Sequence, residues 1–265
     1  MPYVQGRFQS PIYYETIGKG LPIVFIHPPG MGLITFEKQR DLAKHFQLIF
    51  FDIRGNGRSG AGSEQITMSL LAEDIARILD ELNIRKAVIF GYSNGGSIAQ
   101  EFALSHPERT MAVIMSGPFP EVNSFILRTE FRLGLLVSRL KRISFLAKAL
   151  AFAHTKNYET AFREKMANYF AHGDPNIVYQ LYKEGLHYRS TNRLQEIHAP
   201  VLVIYAKFDF YLHHYSKMFI QRLADIELVT VDKATHQIPT KNAPELNRII
   251  VDFINRRLSP ITGVD

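Results

Sequence analysis

The sequence predicts an α/β domain: a mostly parallel central sheet flanked by helices, with a helical cap inserted after the strand that ends near Gly117. Two observations carry this. Apolar runs of strand length alternate with helix-length amphipathic stretches, and the alternation stops at 119 and resumes only after 196.

The strand-like runs are PIVFIH (22–27), FQLIFFD (46–52), KAVIFG (86–91), MAVIMSG (111–117), PVLVIYA (200–206) and IELVTVD (226–232). Their near-continuous apolar content is that of strands covered on both faces, which implies a mostly parallel sheet. Helical candidates lie near 34–45, 67–82, 94–105, 212–224 and 241–257. The segment 119–196 carries helical patterns such as FILRTEFRLGLLVSRL and no strand-like run. Residues 1–118 and 197–265 are therefore expected to form the core and 119–196 a cap. An insertion of this length inside an α/β unit suits a lid or substrate-recognition element.

Composition narrows the functions. A chain of 265 residues with 46% hydrophobic content can build one large domain. It has no cysteine, which excludes disulfides, thiolate metal sites and a cysteine nucleophile. The net charge of +6 is densest in basic residues between Arg128 and Lys148, without a pattern that indicates nucleic acid as a partner. The N-terminus has no apolar core behind an early basic segment, and no apolar run approaches the ~20 residues needed to span a bilayer. A cytoplasmic protein without a membrane span is expected.

The stretch VIFGYSNGGSIAQEFA (88–103) sets Ser93 between glycines where a strand-like run gives way to a helical pattern. A strand turning sharply into a helix strains its turn residue and needs small neighbours, which Gly91 and Gly95 supply. The serine hydroxyl then stands at a helix N-terminus, where N–H groups and the dipole favour developing negative charge. The alternative is a glycine-rich turn that binds phosphate or nothing. A serine nucleophile needs a base, and the base needs a carboxylate. Asp209 falls in the loop after PVLVIYA and His236 in the loop after IELVTVD, at the carboxyl ends where open α/β sheets build sites.

With Gly91-Tyr92-Ser93-Asn94-Gly95 followed in order by Asp209 and His236, the chain resembles the α/β-hydrolase superfamily, over essentially its whole length apart from the insertion. FFDIRGNGRSG (50–60) resembles the D-x-R-G-x-G-x-S segment of cap-bearing members, with glycines for a tight reversal and Arg54 for polar anchoring. FIHPPGMG (25–32) resembles the His-Gly loop that provides an oxyanion-hole N–H, but the usual donor position holds Pro29, which has none. Gly30 or Met31 is expected to replace it, with Asn94 N–H as the second donor. His27, Pro29, Tyr92, Phe119 and Phe210 are expected beside the substrate, with plain packing as the other reading of Tyr92 and Phe210. Phe125, Phe131, Leu135 and Leu136 are expected to pack the cap. Adjacent His213 and His214 point about 100° apart on a helix and are expected to be surface residues rather than metal ligands.

The resemblance implies a carboxylesterase-like serine hydrolase of small or medium esters. Ser93 would be the nucleophile, His236 the base and Asp209 its orienting acid, with no cofactor and a monomeric or homodimeric state. The same machinery would serve a lactonase, a C–C bond hydrolase or an aminopeptidase, for which Glu130, Glu159 and Glu164 are cap carboxylates, although helix-surface charge explains them as well. A ligand-sensing protein that keeps the triad is the alternative from another class.

Overall fold

The computed structural model describes residues 3–258. Eight strands form one sheet: β1 (Tyr3–Gln5), β2 (Pro11–Ile17), β3 (Pro22–Ile26), β4 (Gln47–Phe51), β5 (Ala87–Tyr92), β6 (Thr110–Ser116), β7 (Val201–Ala206) and β8 (Ile226–Val231). Their order is β1-β2-β4-β3-β5-β6-β7-β8, with β1 and β2 antiparallel and the rest parallel. The six sequence runs coincide with β3 to β8. They do not reveal β1 and β2, because an antiparallel strand near the sheet's margin such as PIYYETI is only partly covered and lacks the continuous apolar run of a central strand.

Helices α1 (Met68–Glu81) and α2 (Gly95–Ser105) cover one face; α3 (Phe125–Arg139), α4 (Ile143–His154), α5 (Thr160–Phe170) and α6 (Pro175–His187) are the helical insertion between β6 and β7. They are followed by α7 (His213–Arg222), the short α8 (Ile238–Lys241) and α9 (Ala243–Leu258). Alternate residues of the parallel strands feed two cores: Val24, Ile26 and Ile89 pack with α1, α2 and α7, whereas Ile23, Phe25 and Phe90 pack with α9 and residues 33–44. The latter segment reads as a helix in the sequence but forms 3₁₀ turns broken at Phe36. Its start is tied elsewhere, with Leu33 N–H donating to Asp52 and the Thr35 hydroxyl to Gly32 O.

The chain leaves and re-enters the core at adjacent points, where Glu121 and Arg189 form an antiparallel bridge. Local signals start the inserted helices: Ser124 accepts from Leu127 N–H at the head of α3, and Asp174 caps α6 ahead of Pro175.

Beneath the turn after β4, the fully buried Arg54 donates to both oxygens of Asp74, at 2.5 and 2.7 Å. Arg54 thus anchors α1 below the loop, in line with the polar anchoring expected of it. Removing one member strands a buried charge, so Asp74→Ala is expected to lower unfolding stability by about 3–5 kcal/mol. The readout is a drop in the urea midpoint at an unchanged m value.

Candidate active site

Strand β3 is followed by its left-hand neighbour β4 and flanked on its other side by β5, so the sheet order reverses at β3, and the crevice at such a point opens at the strands' carboxyl ends. Ser93 stands there, immediately after β5, with φ +52°. Left-handed backbone is costly for a residue with a Cβ, and here the surroundings impose it. Ser93 N–H donates to Ser116 O on β6 at 2.8 Å, and the turn enters α2 at once. The flanking glycines are obligatory for close approach: a Cβ on Gly95 would lie 2.2 Å from Ile26 O, and one on Gly91 2.5 Å from Gly95 O.

Asp209 is buried in the loop after β7, and its Oδ2 lies 2.6 Å from His236 Nδ1 in the loop after β8. The imidazole rests on Gly117, where a Cβ would approach Cε1 to 2.6 Å, so the bend after β6 makes room for the ring. With Nδ1 held by the carboxylate, Nε2 is the nitrogen left for chemistry. Ser93 and His236 both line a cavity of about 420 Å³.

The cavity is roofed by the insertion. Leu127, Phe131 and Val137 of α3, Leu146 and Leu150 of α4, and Tyr182 of α6 join Pro28, Pro29, Met31, Tyr92 and Asn94 from the core. Glu130 is the one carboxylate among its lining residues, and no Lys or Arg lines it. Burial raises the Glu130 carboxyl, while His236 and a hydrogen bond from Tyr211 lower it. An apolar chamber with a few convergent polar groups is the ordinary form of a small-molecule site.

Several expected residues lie elsewhere. Gly30 (φ +72°) sends its N–H to Asn56 Oδ1 at 3.0 Å and is not among the lining residues, so this donor is spent inside the loop. Among the described residues, the N–H groups of Met31 and Asn94 meet no acceptor. His27 is buried below the loop: Nδ1 donates to Pro28 O and Nε2 accepts from Ile53 N–H, so it braces the chain instead of meeting substrate. Phe119 is in the core against Phe131 and Tyr215. Phe210 is 70% exposed, outside the cavity, beside Phe208 and His213. Phe125 and Leu136 point to solvent instead of packing the insertion, whereas Phe131 is buried as expected. His213 Nε2 meets Ala206 O and His214 Nε2 meets Asn123 Oδ1; no metal-holding cluster exists among the described residues.

One polar contact has no local signal in the sequence. His154, last residue of α4, is buried, with Nδ1 donating to Leu150 O at 2.7 Å and Nε2 accepting from the Tyr92 hydroxyl at 2.9 Å. Tyr92 precedes Ser93, and its ring lies 5.3 Å from that of His236. The bond therefore ties the insertion to the strand that carries the serine. Only tertiary folding brings residues 62 apart in sequence together.

Burial lowers both His27 and His154 to about 4. The unfolded chain, with histidines near 6.5, therefore binds more protons than the folded one between pH 6.5 and 4, and stability falls as pH drops through that window. Asp52 acts with the opposite sign: burial raises it to about 6, so the folded state gains its proton first and partly offsets the loss. Urea midpoints measured from pH 7 to 4 are expected to decline, and less steeply in His154→Gln. An identical decline in the unaltered chain and in His154→Gln would contradict the neutral, buried assignment of His154.

An elbow serine, an Asp–His pair on later strands and a chamber roofed by inserted helices together define an α/β hydrolase. The chain belongs to the alpha/beta hydrolase fold family, whose model matches residues 22–239. It is 27% identical to the RutD protein of Azorhizobium caulinodans, named for carbamate hydrolysis, over 96% of this chain and 98% of that one. Among solved structures, the esterase of Exiguobacterium antarcticum superposes with a TM-score of 0.85 at 19% identity, covering 96% of this chain and 98% of its own. The enol-lactonase of Burkholderia xenovorans LB400 superposes equally, at 0.85 and 22% identity, over 96% and 100%. At these identities the structural likeness is one of fold.

Proposed function

We propose that the protein is a serine hydrolase of small or medium carboxylic esters, acting through an acyl-enzyme. The observation that carries this reading is His236, held by the buried Asp209 carboxylate at 2.6 Å and sharing one apolar chamber with the strained Ser93. Ser93 Oγ would attack the carbonyl carbon while His236 Nε2 takes its proton; His236 then protonates the leaving alkoxide, and water repeats the sequence on the acyl-enzyme. Asp209 holds the imidazole in the tautomer that leaves Nε2 free. Residues 119–196 act as the cap that excludes bulk water and shapes the acyl or alcohol pocket. The reaction needs no cofactor, and its setting is taken as the cytoplasm.

The oxyanion would be met by Asn94 N–H, at the head of α2, and by Met31 N–H, because Pro29 has no donor and Gly30 has spent its own. A phosphonate adduct is expected to set its oxygen about 3 Å from both groups. An oxygen within reach of Asn94 alone would remove Met31 from the reading. The activity itself is tested on a panel of p-nitrophenyl esters of increasing acyl length. Repeated turnover with a preference for neutral acyl groups, as the cation-free lining requires, supports it; a single turnover per chain would point to a sensor.

A further inference from the structure

The outer face of α3 and α4 is unlike the rest of the surface. Six of the chain's 31 Lys and Arg residues but one of its 25 Asp and Glu fall between 125 and 154. All six, Arg128, Arg132, Arg139, Lys141, Arg142 and Lys148, are exposed. On the same helices and the turn that joins them, large apolar side chains stand in solvent: Phe125 is 81% exposed, Phe145 65%, Leu140 60% and Leu133 56%. At 3.6 residues per turn, Arg128, Arg132 and Arg139 share one stripe of α3 within about 40° of arc, and Phe125, Leu136, Leu140 and Leu133 form the adjoining stripe. The apolar stripe runs to the cavity mouth, since Leu133 and Phe145 also line the chamber that holds Ser93.

We infer that this face docks the protein on an anionic lipid surface, with the apolar stripe in the interfacial layer and the cations on lipid headgroups. An exposed apolar patch of this kind marks a binding surface, and cations beside it select a negatively charged partner. A second copy of the same face would set two cationic stripes against each other, which opposes self-association through it. The stems of Arg and Lys can lie along the apolar layer while their heads reach the phosphates. No described helix is long and apolar enough to cross a membrane, so the contact is peripheral. Docking would turn the chamber mouth toward the bilayer, so apolar molecules dissolved in it enter without crossing water.

The test is flotation of the full chain with vesicles of phosphatidylcholine alone and of phosphatidylcholine mixed with phosphatidylglycerol. Binding to the mixed vesicles, absent on phosphatidylcholine alone and lost in ~1 M salt, is the expected result. Reversing two cations in Arg132→Glu/Arg139→Glu is expected to weaken it by at least roughly 30-fold, since the loss of each cation alone is worth about fivefold. Leu136→Ser/Leu140→Ser should weaken it at low salt too, which a purely electrostatic contact would not. None of these four residues lines the chamber, so p-nitrophenyl ester turnover reports that the variants are folded. Ser93→Ala should float like the unaltered chain, so docking and the proposed chemistry can fail separately. Absence of binding to mixed vesicles overturns the inference, as does binding unaffected by the charge reversal. Capture on heparin through Arg132 and Arg139 without vesicle binding would overturn it in favour of a soluble polyanion, and a dimer dissolved by Leu136→Ser/Leu140→Ser in favour of a second copy.

Discussion

Replacing Ser93 by alanine is expected to reduce kcat on p-nitrophenyl esters by at least ~10³-fold while leaving the fold intact. The chemical part follows from the role proposed: without Oγ no acyl-enzyme forms, and only the oxyanion donors and binding remain to assist water. The structural part follows from the backbone. Ser93 holds φ +52° because β5 and α2 impose it, and alanine carries the same Cβ and tolerates that angle no worse. The unfolding midpoint should therefore move little. Ser93→Gly should raise the free energy of unfolding by roughly 0.5–1 kcal/mol through relief of the same strain, diminished by glycine's greater freedom when unfolded. Retention of more than a few per cent of the original kcat in purified Ser93→Ala would remove Ser93 as nucleophile.

Asp209→Asn is expected to cost nearly as much. The carboxylate accepts from His236 Nδ1 at 2.6 Å and is almost wholly buried, so in the proposed mechanism it would both select the tautomer and stabilise the imidazolium. An amide can present its NH₂ to Nδ1 instead, which moves the proton to Nε2 and blocks the base. The same exchange in serine proteases costs ~10⁴-fold in kcat. KM should change little, because Asp209 does not line the chamber. His214→Ala, with its ring on Asn123 at the surface, and His213→Ala, on a backbone carbonyl, should be mild by comparison. A near-silent Asp209→Asn would move the acid elsewhere, and the end of β6 offers only Ser116 and Gly117 in its place.

The parallel strands and the elbow were legible because their constraints are local. Central strands must be apolar on both faces, and a residue at φ +52° between two packed elements needs glycine on either side, so both leave marks within a few residues. The loops holding Asp209 and His236 were legible by position, each following a strand. What was hidden depends on distant contacts. Nothing near Gly30 announces that Asn56 takes its N–H, and nothing near Phe119 or Phe210 says that one is core and the other solvent-facing. His154 looks like any residue at a helix end until α4 folds over Tyr92. The outward stripe of α3 misled for the same reason: its apolar residues have the spacing of a packed face, and only the tertiary structure leaves them uncovered.

Treatment with a fluorophosphonate, followed by mass spectrometry of the digested chain, tests the nucleophile assignment most directly. One adduct per chain on the peptide containing Ser93 is expected, with labelling greatly slowed in His236→Ala and in Asp209→Asn. An unlabelled Ser93 peptide in a preparation that turns over esters, or an adduct on another serine, would contradict it.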